Sequence, residues 1–228
     1  PVCLIGGGSN LLIRDGGVPG VVIKLDSPAF RRITVDGDQI TCGAGVKNSE
    51  LKKIMLEKGL GGLEFLCSIP GVKDVIIRAE IINGRGEIET IGVNDLLLSY
   101  RSSYFPDDWI ILSLTLQTHP DAPETIKKKL DEQKAYRLKS QPCNARTGGS
   151  TFKNPEGLKA WELIKKSGCA DLRVGGAKVS DIHCNFLINT GNATARDIET
   201  LGETIIQRVK QTTSITLEWE IKRLGIQK

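Results

Sequence analysis

The stretch that most constrains this chain lies at its start. An apolar, strand-like run, Pro1 to Ile5, feeds straight into Gly6-Gly7-Gly8-Ser9-Asn10, and no long amphipathic helix follows. Glycines without Cβ atoms expose consecutive backbone N–H groups, which can cradle a phosphate without side-chain charge. A tight hairpin corner fits the same pattern equally well. A dinucleotide site of the doubly wound kind is disfavoured, because its G-x-G-x-x-G turn has to open a helix. More strand follows instead, Leu11-Leu12-Ile13 and Val21-Val22-Ile23 about an Asp15-Gly16-Gly17 turn.

Further along, Ile33 to Val35 and Gln39 to Cys42 flank Asp36-Gly37-Asp38, a hairpin signal, and Gly43-Ala44-Gly45 offers a second close-approach backbone. Asn48 or Ser49 can cap a helix whose Leu51, Ile54 and Met55 share a face, stopped near Gly59. Leu60 to Pro70 is Gly-rich and apolar, and Ile69-Pro70-Gly71 reads as a turn. The pattern predicts strands over Val75–Ile82 and Glu87–Ile91 about Asn83-Gly84, and a buried strand over Trp109–Thr118. Asp121 to Ser140 reads as a basic amphipathic helix with Ile126 and Leu130 inward and Lys127 to Lys129 on a solvated face. Leu158, Trp161 and Ile164 mark a helix closed by Gly168, Val174-Gly175-Gly176 a bend, and Phe186 to Ile188 a strand. Thr194 with Asp197 forms a capping box for a helix carrying Ile198, Leu201, Ile205 and Val209 on one stripe. At the end, Ile215, Leu217, Trp219 and Ile221 alternate with Thr216, Glu218, Glu220 and Lys222. Solvent decoration is the plainer reading of the carboxylates on that outer face.

The chemistry-rich stretch is Arg146-Thr147-Gly148-Gly149-Ser150-Thr151-Phe152-Lys153-Asn154-Pro155. A turn needs glycine, but not also a guanidinium, hydroxyls and an ammonium. A net charge of +4, with basic and acidic residues interspersed, suits a small polyanionic ligand and falls short of a nucleic-acid footprint. The few aromatic residues argue against stacking platforms for single strands. The six cysteines show no C-x-x-C spacing, so they read as reduced, mostly buried small hydrophobes, with no metal site; His183 beside Cys184 reads as a packing residue. No apolar run is long enough to span a bilayer and no signal peptide is evident, which points to a cytoplasmic protein. A chain opening on Pro1 in mid-strand is expected to have lost residues upstream.

Taken in order, GGGSNLLIRDGG, GLEFLCSIPG, YRSS, RTGGSTFKNP, KAWELI, HCNFLINTGNATARDI and LEWEIKRLG resemble the UDP-N-acetylenolpyruvylglucosamine reductase family over nearly the whole chain, in its subclass with GGSTFKNP. The resemblance implies an α+β protein: a two-subdomain FAD-binding fold of the vanillyl-alcohol-oxidase (PCMH-like) type, plus a smaller α+β substrate-binding domain. The expected bounds are residues 1–26 for the remainder of the first FAD subdomain, 27–140 for the second, 141–214 for the substrate domain and 215–228 for a strand returning to the active site. It implies FAD, with NADPH as reductant, and reduction of the enolpyruvyl ether of a UDP-sugar for peptidoglycan, by a monomer.

By the same resemblance, Gly6, Gly7, Gly8, Ser9, Asn10, Gly43, Ala44, Gly45, Ser68, Ile69, Pro70 and Gly71 match the flavin-contacting loops. Arg101 would hold the substrate carboxylate, Ser150 would donate the proton, and Glu220 would lie against the carboxylate, acting protonated or sharing a proton. Tyr100, Lys153 and Asn154 would hold the UDP-sugar. The chain departs from the family in lacking the part upstream of Pro1, in passing straight from Gly71 to Val72 where the family carries a flavin-wrapping segment, and in having Lys222 where an Arg is common. Two rivals stay open: another FAD oxidoreductase of the same fold, and a nucleotide-sugar-binding protein without catalysis.

Overall fold

The computed structural model describes residues 1–228 apart from 68–72, 97, 100, 101, 104, 105 and 107; the side chains of 67, 73, 98, 99, 102 and 103 are also outside the description. Ser68, Ile69, Pro70, Gly71, Tyr100 and Arg101, expected at the site, therefore lie outside the described residues. The chain divides into two compact units: residues 1–23 with 138–228, and residues 24–137.

The first strands are β1 (Val2–Ile5), β2 (Leu11–Ile13) and β3 (Val21–Lys24). β1 pairs with β3, whereas β2 pairs with a strand from the far end of the chain. The strands on either side of Gly6–Asn10 thus belong to different sheets, and the glycine run is not a hairpin corner. Asp15-Gly16 does turn the chain, but β2 and β3 do not pair across it.

Residues 24–137 are built on an antiparallel sheet in the order β4 (Ile33–Asp36), β5 (Gln39–Gly43), β11 (Ile110–Gln117), β7 (Ile76–Ile82), β8 (Ile88–Gly92). The hairpin expected about Asp36-Gly37-Asp38 forms, with Asp36 opposite Gln39 and Ile33 opposite Cys42. Two shorter pairs are β6 (Leu60–Gly61) with β12 (His119–Pro120), and β9 (Leu98–Ser99) with β10 (Ser102–Ser103). Along β7, Ala79 and Ile81 point inward in alternation with the exposed Arg78 and Glu80, and a register shift against β11 between Ile76 and Arg78 lets Ile76 be buried as well. Helix α1 (Asn48–Lys58) lays Leu51 and Met55 on that core and ends at Gly59, whose φ of 63° is left-handed. Helix α2 (Pro123–Ser140) contributes Ile126 and Leu130, as its pattern predicts.

The other unit gathers α3 (Ala160–Lys166), an antiparallel sheet of β13 (Arg173–Val174), β14 (Ala177–Val179) and β15 (Leu187–Asn189), helix α4 (Ala195–Thr213) and β16 (Lys222–Leu224), which runs parallel to β2. Phe152, Ile164, Leu187, Leu201, Ile205 and Leu217 meet in its core. Leu158 is a correction to the helix expected there. It precedes α3 and is exposed, and Ala160 and Leu163 fill the core beside Ile164 instead. The alternation near the C-terminus correctly buries Leu217 and Ile221, yet regular strand covers only Lys222–Leu224.

Candidate active site

The Arg146–Pro155 loop is held from two sides within residues 1–23 and 138–228. On one side Asn189 N donates to Arg146 O at 2.9 Å, and Thr151 N donates to Asn185 O at 2.7 Å. The buried Asn185 carboxamide brackets Phe152, accepting from its N–H at 3.0 Å and donating to its carbonyl at 2.8 Å. Both polar ends of a buried amide are thereby satisfied, which keeps its burial from costing stability.

On the other side lies the C-terminal segment. Glu220 N donates to Thr151 O at 2.8 Å, and Lys153 N donates to Glu218 O at 2.9 Å. Trp219 stands opposite Phe152, their rings tilted with centroids 5.3 Å apart. This ladder sets Glu220 beside the residue that follows Ser150. Gly149, at φ 87°, makes the left-handed bend just before Ser150, and a Cβ on Gly148 would sit 3.0 Å from Ile221 Cδ1.

The Gly6–Asn10 loop meets the same place. Asn10 Nδ2 donates to Glu220 O at 3.1 Å, and Lys222 N donates to Asn10 O at 3.0 Å. The protein atom nearest to a Cβ built on Gly149 is Ser9 O, at 3.8 Å. All five loop residues are exposed, and a Cβ on Gly6 or Gly7 would meet nothing within 4 Å. Among the described residues no carbonyl or side chain accepts from their N–H groups. Gly8, at φ 75°, has a backbone reason to be glycine; Gly6 and Gly7 have none in this chain's own packing. Open space over bare N–H donors beside Ser9 and Asn10 fits the diphosphate of a dinucleotide such as FAD.

Gly43-Ala44-Gly45, in residues 24–137, is a different kind of glycine run. Its N–H groups donate to Arg32 O, Leu112 O and Phe30 O at 2.8–3.0 Å, so they are spent internally. A Cβ on Gly43 would lie 2.3 Å from Phe30 O, and one on Gly45 2.2 Å from Leu25 O. These glycines are needed by the fold itself, and only the close approach of their backbone is left for a ligand.

Two residues expected at the substrate have internal partners as well. Lys153 Nζ lies 3.2 Å from Glu218 Oε2, an exposed pair of small energetic weight. Asn154 Oδ1 accepts from Ala160 N at 3.0 Å and so caps α3 from outside the helix. His183 packs edge-on to Phe186, its ring centroid 5.0 Å away, and its Nδ1 accepts from Asn185 N. Burial lowers its proton affinity.

The structure also brings in residues that the sequence did not single out. Arg14 directs Nε and Nη2 to Glu199 Oε1 at 3.0 and 2.9 Å, and Asp15 accepts from Ala195 N and Arg196 N at the start of α4. Arg223 Nη1 reaches Glu203 at 3.1 Å and Glu199 at 3.5 Å. An isolated Gly inside an amphipathic helix, Gly202, was the available signal that something packs on α4. A cleft of about 420 Å³ opens here between Arg14, Asp15, Glu199 and Glu203, and none of the expected site residues lines it.

Residues 141–224 match the model of the UDP-N-acetylenolpyruvoylglucosamine reductase C-terminal domain, and residues 1–72 match that of an FAD binding domain. The UDP-N-acetylenolpyruvoylglucosamine reductase of Paramagnetospirillum magneticum is 47% identical over 244 aligned positions, covering 100% of this chain and 79% of the relative. The enzyme of the same name from Parvibaculum lavamentivorans is 46% identical, covering 100% and 78%. The crystal structure of the Thermus caldophilus enzyme superposes with a TM-score of 0.84 at 30% identity, over 99% of this chain and 86% of that one.

Proposed function

The chain belongs to the UDP-N-acetylenolpyruvoylglucosamine reductase family, and from that premise we propose that it is the FAD-dependent oxidoreductase reducing the enolpyruvyl ether of the UDP-sugar in peptidoglycan synthesis, with NADPH as reductant. One observation carries the reading to particular residues. Three stretches far apart in sequence, Gly6–Asn10, Gly149–Thr151 and Glu220–Lys222, are joined by backbone hydrogen bonds and close approach in one place.

The chemistry that bound FAD would supply is a hydride, originating from NADPH, for the methylene carbon of the enolpyruvyl group. Gly6 to Asn10 would hold its diphosphate through N–H donors, Ser9 and Asn10. Close backbone approach at Gly43, Ala44 and Gly45, and contacts from Ser68 to Gly71, follow from the family likeness.

Hydride addition leaves carbanion character on the neighbouring carbon, delocalised into the carboxylate. Such spread charge is best stabilised by donors fixed before the reaction. The Arg101 fork suits that carboxylate, and a protonated Glu220 would add a second donor where an ionised one would repel. The Ser150 hydroxyl would deliver its proton to the carbon, a downhill transfer from a weak acid to a strong base once the geometry is set. Tyr100, Lys153 and Asn154 would hold the UDP-sugar, which requires Lys153 to exchange Glu218 for substrate and leaves Asn154 its amide end.

The same reading puts the protein in the cytoplasm as a monomer, which light scattering of the purified chain checks. No helix among the described residues is long and apolar enough to cross a membrane. The enzymatic test separates the half-reactions. NADPH should bleach the yellow protein, and only the enolpyruvyl UDP-sugar should restore the colour. Ser150→Ala should keep the bleaching rate and slow the recovery about a thousandfold. Recovery on an unrelated acceptor, a colourless protein, or equal losses in both halves would each overturn the assignment.

A further inference from the structure

β2 leaves the Gly6–Asn10 loop directly, and β16 begins two residues after Glu220. They pair in parallel over three positions only: Lys222 with Leu11, Arg223 with Leu12, Leu224 with Ile13. A two-stranded parallel pair this short is weak by itself. A slip by one residue would carry Glu220 about 3.3 Å along the strand and turn each β16 side chain to the opposite face.

Both strands answer to one carboxylate. Glu199, on α4, has a side chain only 8% exposed. Its Oε1 takes two donors from Arg14, the residue that follows β2, and lies 3.5 Å from Arg223 Nη1 on β16; Gln227 Nε2 donates to its Oε2 at 3.4 Å. Arg14 also donates from its own N–H to Leu224 O at 2.8 Å. Arg223 is fixed further by Glu203 and by the Trp219 ring, 4.5 Å below its guanidinium; Trp219 Nε1 donates to the same Glu203 oxygen at 2.9 Å. In a slipped register Arg223 would point away, and the buried carboxylate would lose one of its two cations.

We propose that Glu199 is a positioning residue, whose shared ion pair with Arg14 and Arg223 locks β2 against β16 and so fixes Glu220 relative to the Gly6–Asn10 loop. The catalytic part of this inference rests on the reductase reading; the register part rests on the geometry alone. The loop and Glu220 are already tied by Asn10, through Lys222 N and Glu220 O, so the register of this pair and the position of the carboxyl change together.

Glu199→Gln in the full-chain holoenzyme tests it with two readouts. Amide hydrogen exchange at Lys222 and Arg14, whose N–H groups bond across the strand pair, should speed up about tenfold or more, while Leu201 and Ile205 in α4 stay within about twofold. Recovery of the bleached protein by the enolpyruvyl UDP-sugar should slow by about a hundredfold or more, since a one-residue slip exceeds the displacement of about 1 Å that already costs about a hundredfold, with bleaching by NADPH little changed. Should Glu199→Gln fold poorly, Arg223→Lys keeps the charge and loses the fork, and should show the same split more mildly. Unchanged exchange at Lys222 and Arg14, or equal slowing of both half-reactions, would overturn the proposal. If the wild type itself failed to bleach and recover, the reductase reading would fall while the exchange result still decided the register lock.

Discussion

Glycines here serve two purposes that only their surroundings separate. A Cβ on Gly202, inside α4, would lie 2.2 Å from Trp219 Cη2. Glycine weakens a helix by about 1 kcal/mol relative to Ala, a cost accepted here so that the indole can lie on the helix. Gly202→Ala should therefore destabilise the fold by about 1–3 kcal/mol in a urea titration, against the usual direction for a helical glycine. Gly7→Ala should leave the fold alone and act on the ligand. With nothing within 4 Å of the new atom, the apoprotein should melt unchanged while FAD affinity, read by fluorescence titration, falls. His183 offers a pH test. Its folded proton affinity is lowered by burial, so the unfolded chain takes up the proton first. Stability should be full above about pH 6.5 and decline as pH falls below it, and His183→Gln should flatten that decline.

Helix α4 was the most legible element, because its capping box and its stripe of Leu201, Ile205 and Val209 are local patterns. Asp15 was not legible as a cap, since it lies 180 residues from Ala195 and only the fold brings it there. With Thr194 Oγ1 accepting from Asp197 N and Asp15 from the two residues before, the first free N–H groups of α4 are satisfied. Asp15→Ala should cost about 1 kcal/mol by chemical denaturation. Asp197 accepts from the Thr194 and Gly176 N–H groups, which lower its pKa, the Thr194 bond most. Its contribution should be complete above about pH 4, the ordinary carboxylate value, and vanish as pH falls through the lower folded one. The gap in stability between wild type and Asp197→Asn should accordingly close in acid. The C-terminal alternation marks Leu217 and Ile221 as buried and Glu218 as exposed, but it misses the half-burial of Glu220 and the extent of the strand. Its partner changes from Phe152, opposite Trp219, to Leu11, opposite Lys222, and no period in the sequence marks such a switch.

Over the whole molecule, the hairpins at Asp36 and Asn83 and the inward faces of α1, α2 and α4 followed from local spacing. The strand partners of the first residues and the Arg14–Glu199–Arg223 cluster did not, because they depend on which distant segment arrives alongside. Site identities came from motif likeness, and the geometry distinguishes them: Gly6 and Gly7 stand free of the fold, whereas Gly43 and Gly45 are consumed by it. Residues 24–137 are continuous in sequence and carry their own core, so that segment expressed alone should unfold cooperatively in urea with near-ultraviolet dichroism intact. The other unit draws on both flanks of it, and among the described residues β2 pairs with β16 alone. On the ribosome this sets an order. The inner segment can fold while still tethered, and β1 already has β3, whereas the β2 side of the glycine loop waits for Lys222 to Leu224 to emerge. A nascent chain stopped short of that point keeps a sound inner segment and an unfinished second unit, so the β2–β16 pairing registers whether synthesis has passed Leu224.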